Sequence, residues 1–222
     1  MLKHLLLAVV LLAAACGTAA GPAMPAGEQG SVTPLPTPAT AGQVSVETAL
    51  AQRRSVREFD ARPLTDAELG QLLWAAQGIT DQRGYRTAPS AGALYPLEIY
   101  VATAGGLYHY EPGQHALTVA SRDDLRPALY QAALRQAAVG QAPAVFVIAA
   151  VYERTAVKYG AERSPRYVHL EAGHAAQNLL LQVVVLGLGA VPIGAFDDAG
   201  VQQALGLPAE QQPLYLIPVG QP

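Results

Sequence analysis

The sequence predicts one folded domain of the α+β class, in which helices flank a mixed central sheet. Hydrophobic residues make up 51% of the 222 residues and charged residues only 14%, which is typical of a chain that forms a core. Helical and strand patterns alternate in the second half of the chain, after an earlier hairpin. The run 143–151 is apolar at every position, which predicts a central strand buried on both faces.

Local signals predict the elements in the first half of the domain. Thr65 and Glu68 form a capping box, which predicts the start of a helix that ends at Gly78. The glycine pair 105–106 predicts the turn of a hairpin. The predicted elements are helices at 46–53 and 65–76 and strands at 97–103, 107–110 and 115–120.

The second half is predicted to continue with helices at 123–138, 167–186 and 197–205 and strands at 143–151, 190–196 and 213–219. Asp197 is a suitable N-cap for the last of these helices. The stretch 175–185 is apolar nearly all round. Such a helix lies either in a core or at a subunit interface, and we favour the interface.

The first 16 residues resemble a bacterial lipoprotein signal peptide. A short positive start at Lys3 precedes the apolar run 5–15, which is too short to span a bilayer, and small residues end at Cys16. The match predicts lipidation of Cys16, although Ala13 stands where leucine is usual. Plain secretion and an uncleaved anchor are the alternatives.

Residues 17–43 are rich in Pro, Gly, Ala and Thr and contain few large apolar side chains. This composition predicts an extended tether, which places the start of the folded domain at Val44. We therefore expect an exported protein that is held at the periplasmic or extracellular face of a bacterial membrane by its lipid anchor only.

Composition also argues against two classes of function. A net charge of −3 disfavours nucleic-acid binding. Cys16 is the only cysteine, and His169 and His174 are five residues apart, so the spacings typical of a zinc site are missing. We therefore predict no metal site.

Three segments have the composition of ligand-binding loops. The basic segment Arg53–Arg57 offers arginine forks and a serine hydroxyl that suit a phosphate, although a solvated basic patch is the alternative. If the chain is extended here, residues 53, 55 and 57 point to one side. Segments 86–96 and 188–196 are rich in small residues and proline, so their backbone can approach a planar ligand; structural turns are the alternative.

Taken together, these segments resemble the nitroreductase superfamily, and most closely its SagB/ThcOx-type dehydrogenase branch. The resemblance covers residues 44–222. It depends on three motifs, which occur in the family's order and spacing: Arg-Arg-Ser-Val-Arg at 53–57, Pro-Ser-Ala-Gly-Ala-Leu-Tyr-Pro at 89–96 and Gly-Leu-Gly-Ala-Val-Pro-Ile-Gly at 187–194. The second motif is specific to that branch.

The resemblance implies a nitroreductase-like homodimer with two FMN sites at the subunit interface. Arg53, Arg54 and Ser55 would hold the phosphate and ribityl end, and Arg57 would lie near the pyrimidine edge. The loop of the other subunit would contribute Pro89, Ser90, Gly92 and Ala93. The reactive N5 region would meet the backbone of Ile193, Gly194 and Ala195.

In one respect the sequence departs from the family pattern. Many relatives carry a basic residue shortly after the last strand, where it contacts the FMN phosphate, and none follows Val219 here. Either FMN binds less tightly, or Arg163 or Arg166 takes over this contact.

Lys158 and Tyr159 resemble the Lys-Tyr pair that is assigned the proton-abstracting role in azoline-oxidising members of the branch. Dehydrogenation requires a base, and a lysine can serve as one when it is desolvated or lies near other cations, such as Arg154, Arg163 or Arg166. A solvated loop lysine is the alternative interpretation.

The leading functional hypothesis is an FMN-dependent oxidoreductase that exchanges hydride at flavin N5 with a small-molecule or peptide-derived substrate. It is a SagB-type dehydrogenase of an azoline-like compound or an NAD(P)H-dependent nitro or quinone reductase. NAD(P)H is cytosolic whereas the signal predicts export, so a non-catalytic flavin-binding lipoprotein is the third hypothesis.

Overall fold

A computed structural model describes residues 30–222 of the chain. The predicted signal peptide, Cys16 and the first part of the predicted tether lie outside these residues. Within the described range, no helix combines the length and apolarity that a membrane span requires.

Residues 30–222 form seven strands and seven α-helices. The strands are β1 (Val32–Pro34), β2 (Leu97–Thr103), β3 (Gly106–Glu111), β4 (Ala116–Ser121), β5 (Ala144–Val151), β6 (Gly189–Ala190) and β7 (Gln211–Gly220). The helices are α1 (Val46–Gln52), α2 (Asp66–Gln77), α3 (Arg126–Ala132), α4 (Ala137–Gln141), α5 (Tyr152–Tyr159), α6 (Ser164–Val185) and α7 (Asp198–Leu205).

The strands form one sheet in the order β1-β4-β3-β2-β5-β7-β6, and every pair of neighbouring strands is antiparallel. The prediction of a mixed sheet was therefore wrong for these strands. β6 runs in the same direction as β5, as a strand–helix–strand connection favours, but β7 lies between them and is antiparallel to both. Ser55, which lies outside the named strands, forms a single parallel bridge with Ala190 of β6.

A hydrophobic core lies on each face of the sheet. Alternate residues of β5 divide between them: Phe146 and Ile148 pack with α2 and α6, and Val145 and Val147 pack with α3, α4 and α7. All eight residues of β5 are buried, which confirms the predicted central strand. The apolar stretch of α6 packs against α2 and the sheet, so it is a core helix within the single chain.

Where the sequence signal was local and strong, the prediction is confirmed. Thr65 accepts a hydrogen bond from the Glu68 amide, and Glu68 accepts one from the Thr65 amide, so the capping box forms at the start of α2. That helix ends before Gly78, and the predicted bounds of β2 match the structure.

Two predicted elements were wrong in extent, and one helix was missed. The predicted helix 123–138 is divided into α3 and α4, because Leu134 and Arg135 adopt left-handed φ angles of 55° and 57°. The predicted strand 190–196 shortens to β6, since Pro192 has no amide to donate to a sheet. Helix α5 was not predicted.

The domain begins before Val44, so the tether prediction was wrong for residues 32–43. β1 pairs with β4, Leu35 is 8% exposed in the core, and Gln71 exchanges two hydrogen bonds with the backbone of Ala39. Backbone pairing and one amide side chain hold this segment in place, so it needs few large apolar residues of its own.

Candidate functional site

The basic segment 53–57 lies along the edge of the sheet formed by β6. Helix α1 ends at Arg53 and the chain continues extended, as predicted, so that the Val56 amide donates to Ala190 O over 2.9 Å. Gly189 makes this approach possible, because a β-carbon placed on it would lie 2.7 Å from Val56 Cγ1. The edge thus fixes the position of the serine and arginines on either side of Val56.

The arginines of this segment line two grooves on the surface. Arg53 and Arg54 line one groove of about 230 Å³, next to the end of α6, and Arg57 lines another of about 400 Å³. Residues 53, 55 and 57 were expected to point to one side, but they do not line one common groove. Arg54 donates to the carbonyls of Ala51 and Arg53, so its side chain lies on the end of α1.

The second groove is lined by Arg57 together with residues 191–195. Both backbone groups of Ile193 pair with Leu216, so the Ile193 amide is not available to a ligand. Within the described residues, neither the Gly194 amide nor the Ala195 amide donates a hydrogen bond, so these two donors remain. The Gln136 side chain donates to Ala195 O over 2.7 Å and holds the end of this segment.

These features fit a phosphorylated flavin. The Arg57 groove combines a cation with an apolar wall and the free Gly194 amide, which suits the polar edge and the planar body of an isoalloxazine ring. A β-carbon on Gly194 would meet only Tyr215, at 3.9 Å, so the surface beside this backbone is open. The neighbouring Arg53 groove supplies guanidinium groups that suit a phosphate.

The loop 89–96 is held in a strained conformation. Ala93 and Tyr95 have left-handed φ angles of 53° and 47°, in addition to Gly92 at 66°. Each such non-glycine residue costs on the order of 1–3 kcal/mol, so the surroundings must hold it in place. Ser90 Oγ accepts a hydrogen bond from the Tyr95 amide over 2.9 Å, and Arg154 donates to Tyr95 O over 3.3 Å.

A buried polar group lies behind this loop. Glu171 of α6 is 2% exposed, and its carboxyl accepts a hydrogen bond from Gln77 Nε2 over 3.4 Å. Arg86 donates to Gln77 Oε1 over 2.9 Å and stacks on the Tyr95 ring at 4.5 Å. Burial raises the pKa of Glu171 to about 7 and lowers the pKa of Arg86.

Lys158 and Tyr159 lie at the end of α5, against the loop. A β-carbon on Gly92 would be 3.0 Å from Lys158 Nζ and 3.2 Å from the Tyr159 hydroxyl. Tyr159 also packs against Tyr167 of α6, with 4.5 Å between ring centroids. The structure therefore joins two segments that the sequence analysis had singled out separately. Lys158 is exposed in the single chain.

Arg154 anchors α5 to the sheet through an ion pair with Glu98 of β2. Glu98 also contacts His109 Nε2 over 2.6 Å, and His109 Nδ1 lies 2.9 Å from Glu111. Burial alone would lower the pKa of His109, but the two carboxylates outweigh it and raise the pKa. Burial likewise opposes a low pKa for Glu98, but its hydrogen bonds to His109 and Arg154 bring that pKa below its ordinary value.

Within one chain, α5 and the basic edge lie near different parts of α6. Tyr159 of α5 packs against Tyr167, whereas the Arg53 groove is lined by Leu180 and Val183, thirteen residues or about 20 Å of helix further on. The segment just before the loop reaches further along α6, because Asn178 donates to Thr87 O over 3.2 Å. Neither groove of the basic edge is lined by a residue of the loop 89–96, so one chain does not unite the two in one groove.

The same separation bears on the missing basic residue. Arg163 and Arg166 lie at the start of α6, far from the Arg53 groove, so within one chain they do not replace a cation after Val219. The end of the chain is held by the Asp60 amide, which donates to Gln221 O over 2.8 Å.

Sequence reasoning missed Gln136 and Glu171, and it gave Arg86 no role beyond its place at the start of the segment 86–96. Gln136 is placed by the break between α3 and α4, which the sequence did not show. Glu171 lay inside the predicted helix 167–186, before its apolar stretch, and a lone acidic residue there was the one available signal.

Comparison with known proteins defines the class. The sequence model of the nitroreductase family matches residues 50–221, and the chain belongs to this family of oxidoreductases. The family is generally flavin-dependent, typically binds FMN and is commonly homodimeric.

Particular relatives agree with this assignment. The chain is 46% identical to MJ1384 of Methanocaldococcus jannaschii, which is named as a nitroreductase, over 80% of this chain and 91% of that protein. A nitroreductase-type crystal structure from Ralstonia eutropha superposes with a TM-score of 0.80 and 32% identity, over 92% of this chain and 95% of that one. The NADPH:FMN oxidoreductase of Vibrio harveyi, complexed with NAD⁺, has a TM-score of 0.61 and 26% identity, over 80% and 68% of the two chains.

Proposed function

We propose that this chain is an FMN-dependent oxidoreductase that acts as a homodimer. Each flavin would lie between the basic edge of one subunit, with residues 193–195, and the loop 89–96 of its partner. The observation that carries this proposal is that neither groove of the basic edge is lined by a residue of the loop 89–96 of the same chain. Both halves have the features of a ligand site, yet one chain does not unite them.

The bound FMN would supply hydride exchange at its N5 position. Arg57 would stabilise negative charge at the pyrimidine edge, because a fixed cation costs no reorganisation when that charge develops. The open Gly194 amide would donate to the flavin and orient it. Arg53, Arg54 and Ser55 would bind the phosphate end.

Within this class, we propose a SagB-type dehydrogenase that oxidises an azoline-like or related substrate. The support is that Lys158 Nζ and the Tyr159 hydroxyl lie 3.0 and 3.2 Å from the place of a β-carbon on Gly92. If the loop faces the flavin, this amine and this hydroxyl would lie beside the substrate. Lys158 would accept the substrate proton at Nζ.

A second candidate is an NAD(P)H-dependent reductase of nitro compounds or quinones. It is favoured by the likeness to the Vibrio harveyi enzyme, whose name states that it uses NADPH and FMN. The lipid anchor at Cys16 remains a proposal and would place either enzyme outside the cytosol. If so, a flavin-binding lipoprotein without turnover is a further candidate.

Spectroscopy of the purified protein tests these proposals. We expect a yellow protein with flavin absorbance that bleaches anaerobically with an azoline-like donor. Bleaching by NAD(P)H instead would favour the reductase, and no bleaching by any donor would favour the binding protein. We expect Lys158→Ala to keep the flavin and lose substrate oxidation. A colourless protein that refuses added FMN would overturn the proposed function.

A further inference from the structure

Arg154 of α5 reaches both the sheet and the loop 89–96, and the proposed chemistry does not use it. Its Nη1 donates to Tyr95 O over 3.3 Å, and its Nη2 forms the ion pair with Glu98 of β2. Although burial opposes it, hydrogen bonds from His109 and Arg154 keep the pKa of Glu98 below its ordinary value, so this carboxylate is charged at neutral pH. Arg154 therefore bridges a charged group of the sheet and the backbone of the loop.

Tyr95 is the residue through which Arg154 holds the loop. Its φ angle of 47° is left-handed, so this backbone persists only where the surroundings hold it. Its amide donates to Ser90 Oγ over 2.9 Å, and its hydroxyl accepts a hydrogen bond from the Arg86 amide over 3.2 Å. Arg154 supplies the partner of the carbonyl oxygen. Loss of Arg154 should therefore let this end of the loop relax.

The helix that carries Arg154 also carries Lys158. The two residues are four apart in α5 and so lie on the same side of the helix. Lys158 Nζ lies 3.0 Å from the place of a β-carbon on Gly92, near the middle of the loop. Helix α5 thus meets the loop at two places, one helical turn apart. Because a helical turn is rigid, a displacement of the loop at one of these places is transmitted to the other.

We propose that Arg154 couples the loop 89–96 to Lys158, so that FMN bound against the loop also fixes the position of the Lys158 amine. Arg154 is thus a positioning residue, which acts on Lys158 through the loop and α5. This inference goes beyond the proposed function and rests on it, because it requires that the loop contacts FMN.

Chemical modification of Lys158 in the full-length protein tests the inference. The chain has only two lysines, Lys3 and Lys158, so mass spectrometry of the peptides assigns each acetyl group that N-hydroxysuccinimidyl acetate transfers. The quantity measured is the protection factor, which is the acetylation rate of Lys158 in flavin-free protein divided by its rate at saturating FMN. Saturation of each variant separates this quantity from FMN affinity.

We expect FMN to protect Lys158 at least about fivefold in wild type and less than about twofold in Arg154→Gln. The Kd of that variant for FMN should rise about fivefold, the effect of one hydrogen bond. Arg122→Gln is the matched control, because it removes the same charge from an exposed side chain that forms no hydrogen bond or ion pair within residues 30–222. We expect this control to have the protection factor and Kd of wild type.

Arg154→Lys separates the position of the guanidinium from its charge. A lysine keeps a cation for Glu98 but lacks the planar fork that reaches two acceptors. This variant should unfold at the wild-type temperature and still lose the protection, and it decides the test if Arg154→Gln does not fold.

Full protection of Lys158 in a folded Arg154 variant would show that FMN shields the amine directly, which would overturn the inference. Wild-type protein that binds FMN without protecting Lys158 would overturn it too, and would leave the proposed function intact. Wild-type protein that binds no FMN would overturn the proposed function itself.

Discussion

Two glycines at the edge of the site have different roles at the scale of the residue. Gly189 lies under Val56, whereas Gly194 faces open space. A methyl group added to Gly189 would displace Val56 and with it the arginines of the basic segment. The same methyl group on Gly194 would disturb nothing in the free protein, but it would stand where a flavin approaches.

We therefore expect Gly189→Ala and Gly194→Ala to separate stability from binding. Gly189→Ala should lower the free energy of unfolding by about 1–3 kcal/mol, as overpacking does. Gly194→Ala should leave that free energy within about 0.5 kcal/mol of wild type and weaken FMN binding at least about tenfold. Urea unfolding and FMN titration measure the two effects. Equal FMN affinity in Gly194→Ala and wild type would contradict the placement of the flavin.

His109 makes the stability of the domain depend on pH. Its two carboxylate partners raise its pKa, so folding favours the protonated ring. The stabilisation is complete below the unfolded pKa of about 6.5 and is lost as pH rises through the higher folded pKa.

We expect wild type to be more stable than His109→Gln by about 1 kcal/mol at pH 5.5, and the difference to shrink by pH 8.5. Thermal unfolding at both pH values measures it. The comparison also cancels the contribution of Glu171, whose raised pKa has the same sign. A difference that grows with pH would show that the neutral ring is the stabilising form.

Residues of the candidate site could be proposed from the sequence where the type of side chain alone indicates a chemical role. The arginines and the small-residue loops could be proposed in this way, and the Lys158–Tyr159 pair could be proposed from the family resemblance. Glu171 and Gln136 could not, because each depends on a partner distant in sequence, Gln77 or Ala195. A glutamate or glutamine of this kind looks ordinary until the fold supplies that partner.

At the scale of the element, the predictions succeeded where the deciding signal was local. The capping box and the apolar run 143–151 lie inside the elements that they define. The break between α3 and α4 differs, because no proline or glycine marks Leu134 and Arg135. The left-handed turn there is selected by tertiary contacts, among them the bond from Gln136 to Ala195 O.

A hydrogen bond at this turn joins the α3–α4 connection to the segment 191–195, where we propose that the flavin binds. Gln136 Nε2 donates to Ala133 O over 3.0 Å as well as to Ala195 O, so one amide joins two elements. We expect Gln136→Ala to weaken FMN binding about threefold to tenfold and to lower the free energy of unfolding by about 1 kcal/mol. Isothermal titration and urea unfolding measure these effects.

Gln131→Ala is the matched control for this variant. Gln131 lies in the last turn of α3, next to this connection, and is exposed, and its side chain accepts a hydrogen bond from Arg135 over 2.9 Å. We expect it to leave FMN affinity unchanged. If both variants weakened binding equally, the Gln136 contact would have no specific role.

At the scale of the whole molecule, the sequence predicted the class of fold, and it also led us to propose the two halves of the site. It could not show that these halves line no common groove on one chain, because their positions depend on packing between segments that are distant in sequence. The sequence likewise could not show which neighbouring strands are antiparallel. The position of β7 between β5 and β6 depends on pairing between segments that are distant in sequence.

Complementation between two defective subunits distinguishes a shared site from a site within one chain. Arg57→Ala damages the basic edge, and Gly92→Val damages the loop, where a side chain would be strained at φ 66° and would meet Lys158. We expect either homodimer to bind FMN poorly. If the halves come from different subunits, a heterodimer contains one site with both defects and one with neither.

We therefore expect a heterodimer of these variants, purified through two different affinity tags, to bind about one FMN tightly. Titration of the flavin absorbance counts the sites, and thermal unfolding of each homodimer verifies that both variants fold. If instead each site belonged to one chain, every site in the heterodimer would carry a defect, and tight binding would not return. Recovery of binding on mixing is thus a property that only a dimer with a shared site can have.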